Sequence, residues 1–312
     1  MLKQIFTQGL PSFQSFATFK TIFLGILLET FPFLLLGVIV SSFMQLFVSE
    51  SFIRKITPRH PALGIPFACL LGFLFPVCEC GLIPIARRLI SKGMPLYIGI
   101  VFILVGPILN PVVLAATYTA FRGRPELIYS RAGIALFVGI FIGLFIYLFI
   151  KRNPLKTNDN DNRIHSQQEH DHQHPNQSKL FAMIDHAGNE FFDMGKYVMI
   201  GSILTAAIQT FLPRSSLIHI GQTEFGSHLF MMGFAYILSI CSTSDAFVAS
   251  SFASIFSSGS LLAFLVFGPM LDFKSTLMLL SVFKKKFVLL LSILIFFTVL
   301  AGVLIFEITK WG

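Results

Sequence analysis

The stretch from Leu63 to Ala86 is apolar except at one place, where it reads Phe75-Pro76-Val77-Cys78-Glu79-Cys80-Gly81-Leu82-Ile83-Pro84. Two thiols and a carboxylate are thereby set at membrane depth, between prolines and beside a glycine. Hydrocarbon does not accept a charge or a broken backbone unless protein or a water-filled cavity surrounds it. The run therefore predicts an interruption that lines a cavity, with Pro76, Gly81 and Pro84 as the residues that break the helix.

That argument needs a membrane protein, and composition supplies one. Of 312 residues, 54% are hydrophobic and 12% charged, against roughly 25% charged in soluble domains. Apolar runs at or near spanning length cover 21–47, 96–121, 132–150, 197–212, 261–283 and 287–306. Shorter pairs flank the breaks, at 63–77 with 82–90 and at 229–241 with 246–256. The expected fold class is an all-α polytopic membrane protein of about eight membrane segments. The N-terminal stretch lacks a cleavable-signal pattern, so the first span is expected to serve as an uncleaved insertion signal. The net charge of +8 gathers at the ends of apolar runs, where topology needs it. No basic helix with interleaved aromatics points to nucleic acid. Among the four cysteines (Cys69, Cys78, Cys80, Cys241), Cys78 and Cys80 are too close for an ordinary disulfide framework, and reduced thiols are expected.

The two halves echo each other. Gly106-Pro107-Ile108-Leu109-Asn110 matches Gly268-Pro269-Met270-Leu271-Asp272, Cys78 falls opposite Cys241, and Glu29 and Gly37 match Asp193 and Gly201, all at offsets of 162 to 164. Paired interrupted segments in two halves are the best sequence pointer to a transporter site. The expected organisation is a first membrane repeat (1–150), a polar linker (151–180) that is disordered and cytoplasmic, and a second repeat (181–312). If each interrupted segment is a re-entrant hairpin, the halves are inverted, and Lys and Arg divide 15 against 7 between the two sides. If each crosses once, the halves are parallel and the division is 12 against 10. The positive-inside rule favours the inverted arrangement. A continuous helix over 63–90 would also be about 42 Å long, more than the roughly 30 Å core. A tilted or kinked single crossing stays open.

Five groups of residues can carry chemistry. Cys78, Glu79 and Cys80 offer thiolates for soft or borderline centres and a carboxylate for charge or protons; the bland alternative is small polarizable residues packing at a break. Cys241-Ser242-Thr243-Ser244-Asp245 is a polar tract between short apolar runs, either lining the same cavity or forming a loop in which Asp245 caps the next helix. The pairs Gly106-Pro107 and Gly268-Pro269 are expected to disturb their helices, which brings Asn110 and Asp272 forward as binding residues; the alternative is a helix end with Lys274 snorkelling to water. Glu29 and Asp193 are candidates for a shared cavity role. His165, His170, His172 and His174 in the linker could bind a metal weakly, or simply belong to a solubilising tether. His186, His219 and His228 are expected near span ends. No nucleotide-binding loop, Ser-His-Asp order or zinc-protease motif is present, so an enzyme is not expected and no cofactor is implied.

With these motifs on the page, Phe75–Pro84, Gly106–Pro111, Cys241–Asp245 and Gly268–Asp272, the chain resembles the ArsP-type permeases, also called DUF318, which include the YraQ-like and UPF0718 proteins. The resemblance covers nearly the whole chain except the linker. It implies a multi-pass permease of the bacterial cell membrane, some of whose relatives export trivalent organoarsenicals. Together with the cysteines above, the expected cargo is a small thiophilic solute, a trivalent organoarsenical or a soft or borderline metal species, moved by secondary efflux. It also implies a possible small partner membrane protein. Homo-oligomerisation stays open. The other expectation is a membrane scaffold or accessory subunit in zinc homeostasis, in which the His-rich linker does the work.

Overall fold

The computed structural model describes residues 13–47, 49–58, 60–75, 77–150, 154–156, 179–211 and 224–311. Pro76, His219 and the four linker histidines lie outside these. The described residues form thirteen helices and no strand beyond an isolated bridge between Leu155 and Phe283. The first half holds α1 (Phe13–Phe47), α2 (Glu50–Ile56), α3 (Pro61–Leu74), α4 (Glu79–Ser91), α5 (Leu96–Leu109), α6 (Pro111–Ala120) and α7 (Glu126–Phe149). The second holds α8 (Lys179–Phe211), α9 (Glu224–Leu238), α10 (Asp245–Ser251), α11 (Ser258–Met270), α12 (Phe273–Val282) and α13 (Lys285–Trp311). Six segments are long and apolar enough to cross a membrane: 16–45, 96–120, 126–149, 187–210, 258–282 and 285–309. Helix α3 and residues 226–238 of α9 are apolar but shorter.

Both interrupted segments double back. Gly64 of α3 packs on Tyr97 and Gly72 on Gly106, so α3 and α5 run parallel. Gly99 packs on Ile90, and Gly106 on Leu82, so α4 runs antiparallel to α5. The chain therefore turns at 75–78 and returns. In the second half, Ser227 and Ser260 hydroxyls meet at 2.6 Å and Gly268 packs on Ala235, so α9 and α11 are parallel. Phe252 and Phe256, just beyond α10, stack back on Phe234 and Phe230 at 5.8 and 5.9 Å.

Small residues let these helices approach. A Cβ on Gly37 of α1 would meet Cα and the carbonyl oxygen of Gly81 at 2.5 Å, and one on Gly72 would meet Gly106 Cα at 2.5 Å. Close packing through small residues is the main adhesive between helices in lipid. This corrects the expectation for Gly81, which is helical and serves packing. Pro84 is also within α4 and forfeits one helical hydrogen bond without ending the helix. The interruption precedes both.

The Gly-Pro pairs are likewise helical, and the breaks fall three residues further on. Asn110 ends α5 by donating its N–H to Gly106 (3.1 Å) and starts α6 by accepting from Val112 N–H (2.9 Å), with Pro111 at the first helical position. Leu271 N–H donates to Phe267 (2.8 Å), and Asp272 Oδ1 then accepts from Ser275 N–H to open α12.

Candidate functional site

The tips of the two hairpins meet in the interior. Cys78 caps the start of α4, with its carbonyl accepting from Gly81 and Leu82 N–H at 3.0 and 3.1 Å. Cys241 heads the turn that leads into α10, its carbonyl accepting from Ser244 and Asp245 N–H at 2.9 and 3.0 Å, with Ser244 as the cap of the helix. Each cysteine is therefore held by backbone bonds at the entry to a helix. The Cys78 thiol lies beside those of both Cys241 and Cys80. All three are free and buried, so sulfur from both halves gathers at one place. Thr243 donates to the Cys241 sulfur at 3.6 Å. Cys69, also free, sits apart in an apolar cavity of about 500 Å³ between α3 and α7.

Two buried ion pairs flank the thiols, and each joins the halves. Glu79 Oε1 lies 3.9 Å from Lys274 Nζ on α12, with both side chains 4% exposed. Asp245 Oδ2 lies 2.7 Å from Arg131 Nη2 on α7, at 4% and 0%. Arg131 is further held by Thr117 Oγ1 at 2.7 Å and the Ser242 carbonyl at 3.4 Å. Buried charges demand such partners, because desolvation of each ion costs several kcal/mol. Ser244 adds a hydroxyl bond to Glu29 at 3.0 Å. Ser239, with φ of 46°, accepts from Phe273 N–H at 3.1 Å and ties the second tip to the start of α12.

Several expectations change. Asp245 is neither a solvent loop residue nor a mere cap; it is buried and ion-paired. Lys274 does not snorkel, because α12 points it inward at Glu79. Glu29 and Asp193 do not share an environment: Glu29 contacts the second tip, whereas Asp193 is in an exposed pair with Lys196 at 3.0 Å. Asn110 is buried, and the contact shown for its side chain is the α6 cap. His228 is buried against Glu307 at 3.2 Å. Among the described residues, no group of three or more His, Cys, Asp or Glu is arranged to hold a metal ion.

Arg131, Thr117 and Glu190 were not foreseen. Glu190 of α8 accepts from Ser41 at 2.8 Å and faces Arg88 of α4 at 3.6 Å, binding the first hairpin to both first spans. Arg131 heads an apolar run, which in sequence reads as an interfacial anchor. Its one signal is the apolar residue on the next position and the absence of a nearby acidic run.

A family model described as "Predicted permease" matches residues 15–308. The chain belongs to that permease family. It is 48% identical over 295 residues to UPF0718 protein YcgR of Bacillus subtilis (strain 168), covering 93% of this chain and 97% of that one. It is 36% identical over 268 residues to a Streptococcus mutans protein called "Putative two-component membrane permease complex subunit", covering 86% and 88%. No solved structure matches. With six apolar helices of spanning length, this permease relative is a multi-pass bacterial membrane protein.

Proposed function

We propose that the protein is a secondary permease whose solute passes a midplane chamber formed by the two hairpin tips. The observation that carries this is the contact between Cys78 and Cys241, thiols from opposite halves. Cys78, Cys80 and Cys241 touch a small thiophilic solute. Glu79, Asp245 and Asp272 set the charge of the chamber, and Ser242, Thr243 and Ser244 supply hydroxyls and backbone around it. No bond of the solute needs to change, so the protein is not an enzyme in this reading. A trivalent organoarsenical suits two neighbouring thiols, which displace its two hydroxides as water and are released again on exit.

The same reading takes the halves, 1–150 and 181–312, as inverted repeats joined by the linker 151–180. Supporting it, Gly64–Tyr97 and Gly72–Gly106 recur as Ser227–Ser260 and Ala235–Gly268, at offsets of 162 or 163. At 1.5 Å per residue, helices of 14 and 13 residues reach only about 20 Å, too short to cross. Two re-entrant hairpins and three spans per half invert the second half. The charge division of 15 against 7 then puts the linker in the cytoplasm.

The test is a panel of trivalent organoarsenicals and Zn, Cu and Co salts, with cell accumulation measured with and without the protein. Lower accumulation of at least one solute, lost in Cys78→Ala, Cys80→Ala or Glu79→Ala, is the expected result. Unchanged accumulation of every solute contradicts the proposal. A second reading is an accessory subunit that works with a small partner membrane protein in zinc homeostasis; the name of the Streptococcus relative supports the complex-subunit part of it. The linker histidines would then carry the function, and deleting 158–175 separates the two.

A further inference from the structure

Next to the thiols, two of the acids that set the charge of the chamber, and a serine beside them, have oxygens without a partner among the described residues. Glu79 of α4, and Asp272 and Ser275 of α12, are 3%, 1% and 3% exposed. Among the described residues, Glu79 Oε2, Asp272 Oδ2 and Ser275 Oγ have no hydrogen-bond partner. Glu79 Oε1 lies 3.9 Å from Lys274 Nζ, and Asp272 caps the helix that carries Lys274, two residues before it. One buried cation thus accompanies two buried carboxylates. The Arg131–Asp245 pair, by contrast, is balanced one to one.

An unmatched buried charge is costly and is normally paired or neutralised. A single positive charge brings this set to neutrality, whereas a divalent ion overshoots. The unused atoms are all hard oxygens, which prefer hard cations over the soft species that thiols select. A proton shared by the two carboxylates would neutralise the set as well, and the response to alkali ions at fixed pH tells the two apart. The position also fits, because α12 begins at a break in a spanning segment, where unwound backbone and half-helix ends coordinate ions in transporters.

We infer that Glu79, Asp272 and Ser275 form a binding site for an alkali-metal cation, with Na⁺ as the probe. The ion fills the oxygens, Lys274 balances the remaining carboxylate, and the thiols stay free for the solute. The inference rests on the permease reading only for the use of the ion; binding itself requires no solute.

The experiment uses the full-length protein purified in detergent, with choline chloride replaced stepwise by NaCl, KCl or LiCl at constant ionic strength. Thermal unfolding is followed with a thiol-reactive dye that reports exposure of the free cysteines. Na⁺ well above its dissociation constant is expected to raise the midpoint by about 5 °C. Ser275→Ala removes a hydroxyl that has no hydrogen-bond partner, so it is expected to fold normally and to need at least about tenfold more Na⁺ for the same shift. Glu79→Gln is expected to abolish the response. Equal midpoints in choline and all three alkali ions overturn the inference. So does a Ser275→Ala response identical to wild type, or a midpoint that follows pH alone. Because the readout is ion binding, failure of the solute panel leaves this result standing and is told apart from it.

Discussion

Arg131 Nη2 and Asp245 Oδ2 lie 2.7 Å apart with both side chains shut off from solvent. The arginine belongs to the last span of the first half and the aspartate to the tip of the second hairpin, so this pair fastens one half's hairpin to the other half's scaffold. Thr117 takes Nη1 and the Ser242 carbonyl shares Nη2, so three partners hold the guanidinium in place. Removing the cation should leave Asp245 as an unpaired buried charge. Arg131→Leu is expected to destabilise the protein by about 3–5 kcal/mol, and Arg131→Leu with Asp245→Leu to recover most of that loss. Denaturation of the two variants in one detergent checks this.

The contact of α1 with α4 depends on having no side chain at Gly37. Its Cβ would meet Gly81 backbone at 2.5 Å, and backbone cannot rotate away. Gly37→Ala is expected to cost about 1–3 kcal/mol through overpacking. Gly195→Ala, on α8 with nothing within 4 Å of the new carbon, is expected to be neutral or to gain up to about 1 kcal/mol. Thermal midpoints of the pair separate packing from helix propensity.

Asp272 has two separable jobs. Its Oδ1 caps α12 by accepting from Ser275 N–H, and its charge faces Lys274. Asp272→Ala is expected to lose about 1 kcal/mol for the cap. Asp272→Asn keeps an acceptor and is expected to hold stability in choline, yet both variants are expected to lose the midpoint shift with Na⁺. A cap without a charge role would leave the shift intact in Asp272→Asn.

Deleting 158–175 is expected to leave the thermal midpoint and solute efflux of the membrane core unchanged, because the bonds described at the two hairpin tips run between membrane helices. Efflux assays on the shortened chain check this; loss of activity with an unchanged midpoint would favour the linker-based accessory reading.

Much of this was legible in the sequence, and particular residues show why. Cys78 and Cys241 could be paired because their offset nearly matches that of the Gly-Pro motifs. The membrane class followed from run lengths alone. Gly81 and Pro84 misled, since a glycine beside prolines reads as a break, whereas here it is the partner surface for Gly37. Lys274 and Arg131 were hidden for one reason: a basic residue near the end of an apolar run looks like an anchor at the lipid headgroups. Only the carboxylate that each one faces, brought in from the other half, shows that it points inward.

The meeting of the hairpin tips can be tested directly. A protease site is placed in the linker between 158 and 175, Cys69 and Cys80 are replaced by Ala, and a short bifunctional thiol reagent is applied to membranes before cleavage. With Cys78 and Cys241 as the remaining thiols, the expected result is that the two halves migrate as one band, and as two when either cysteine is also replaced. Halves that separate despite full modification of both thiols would contradict a chamber built from the two tips.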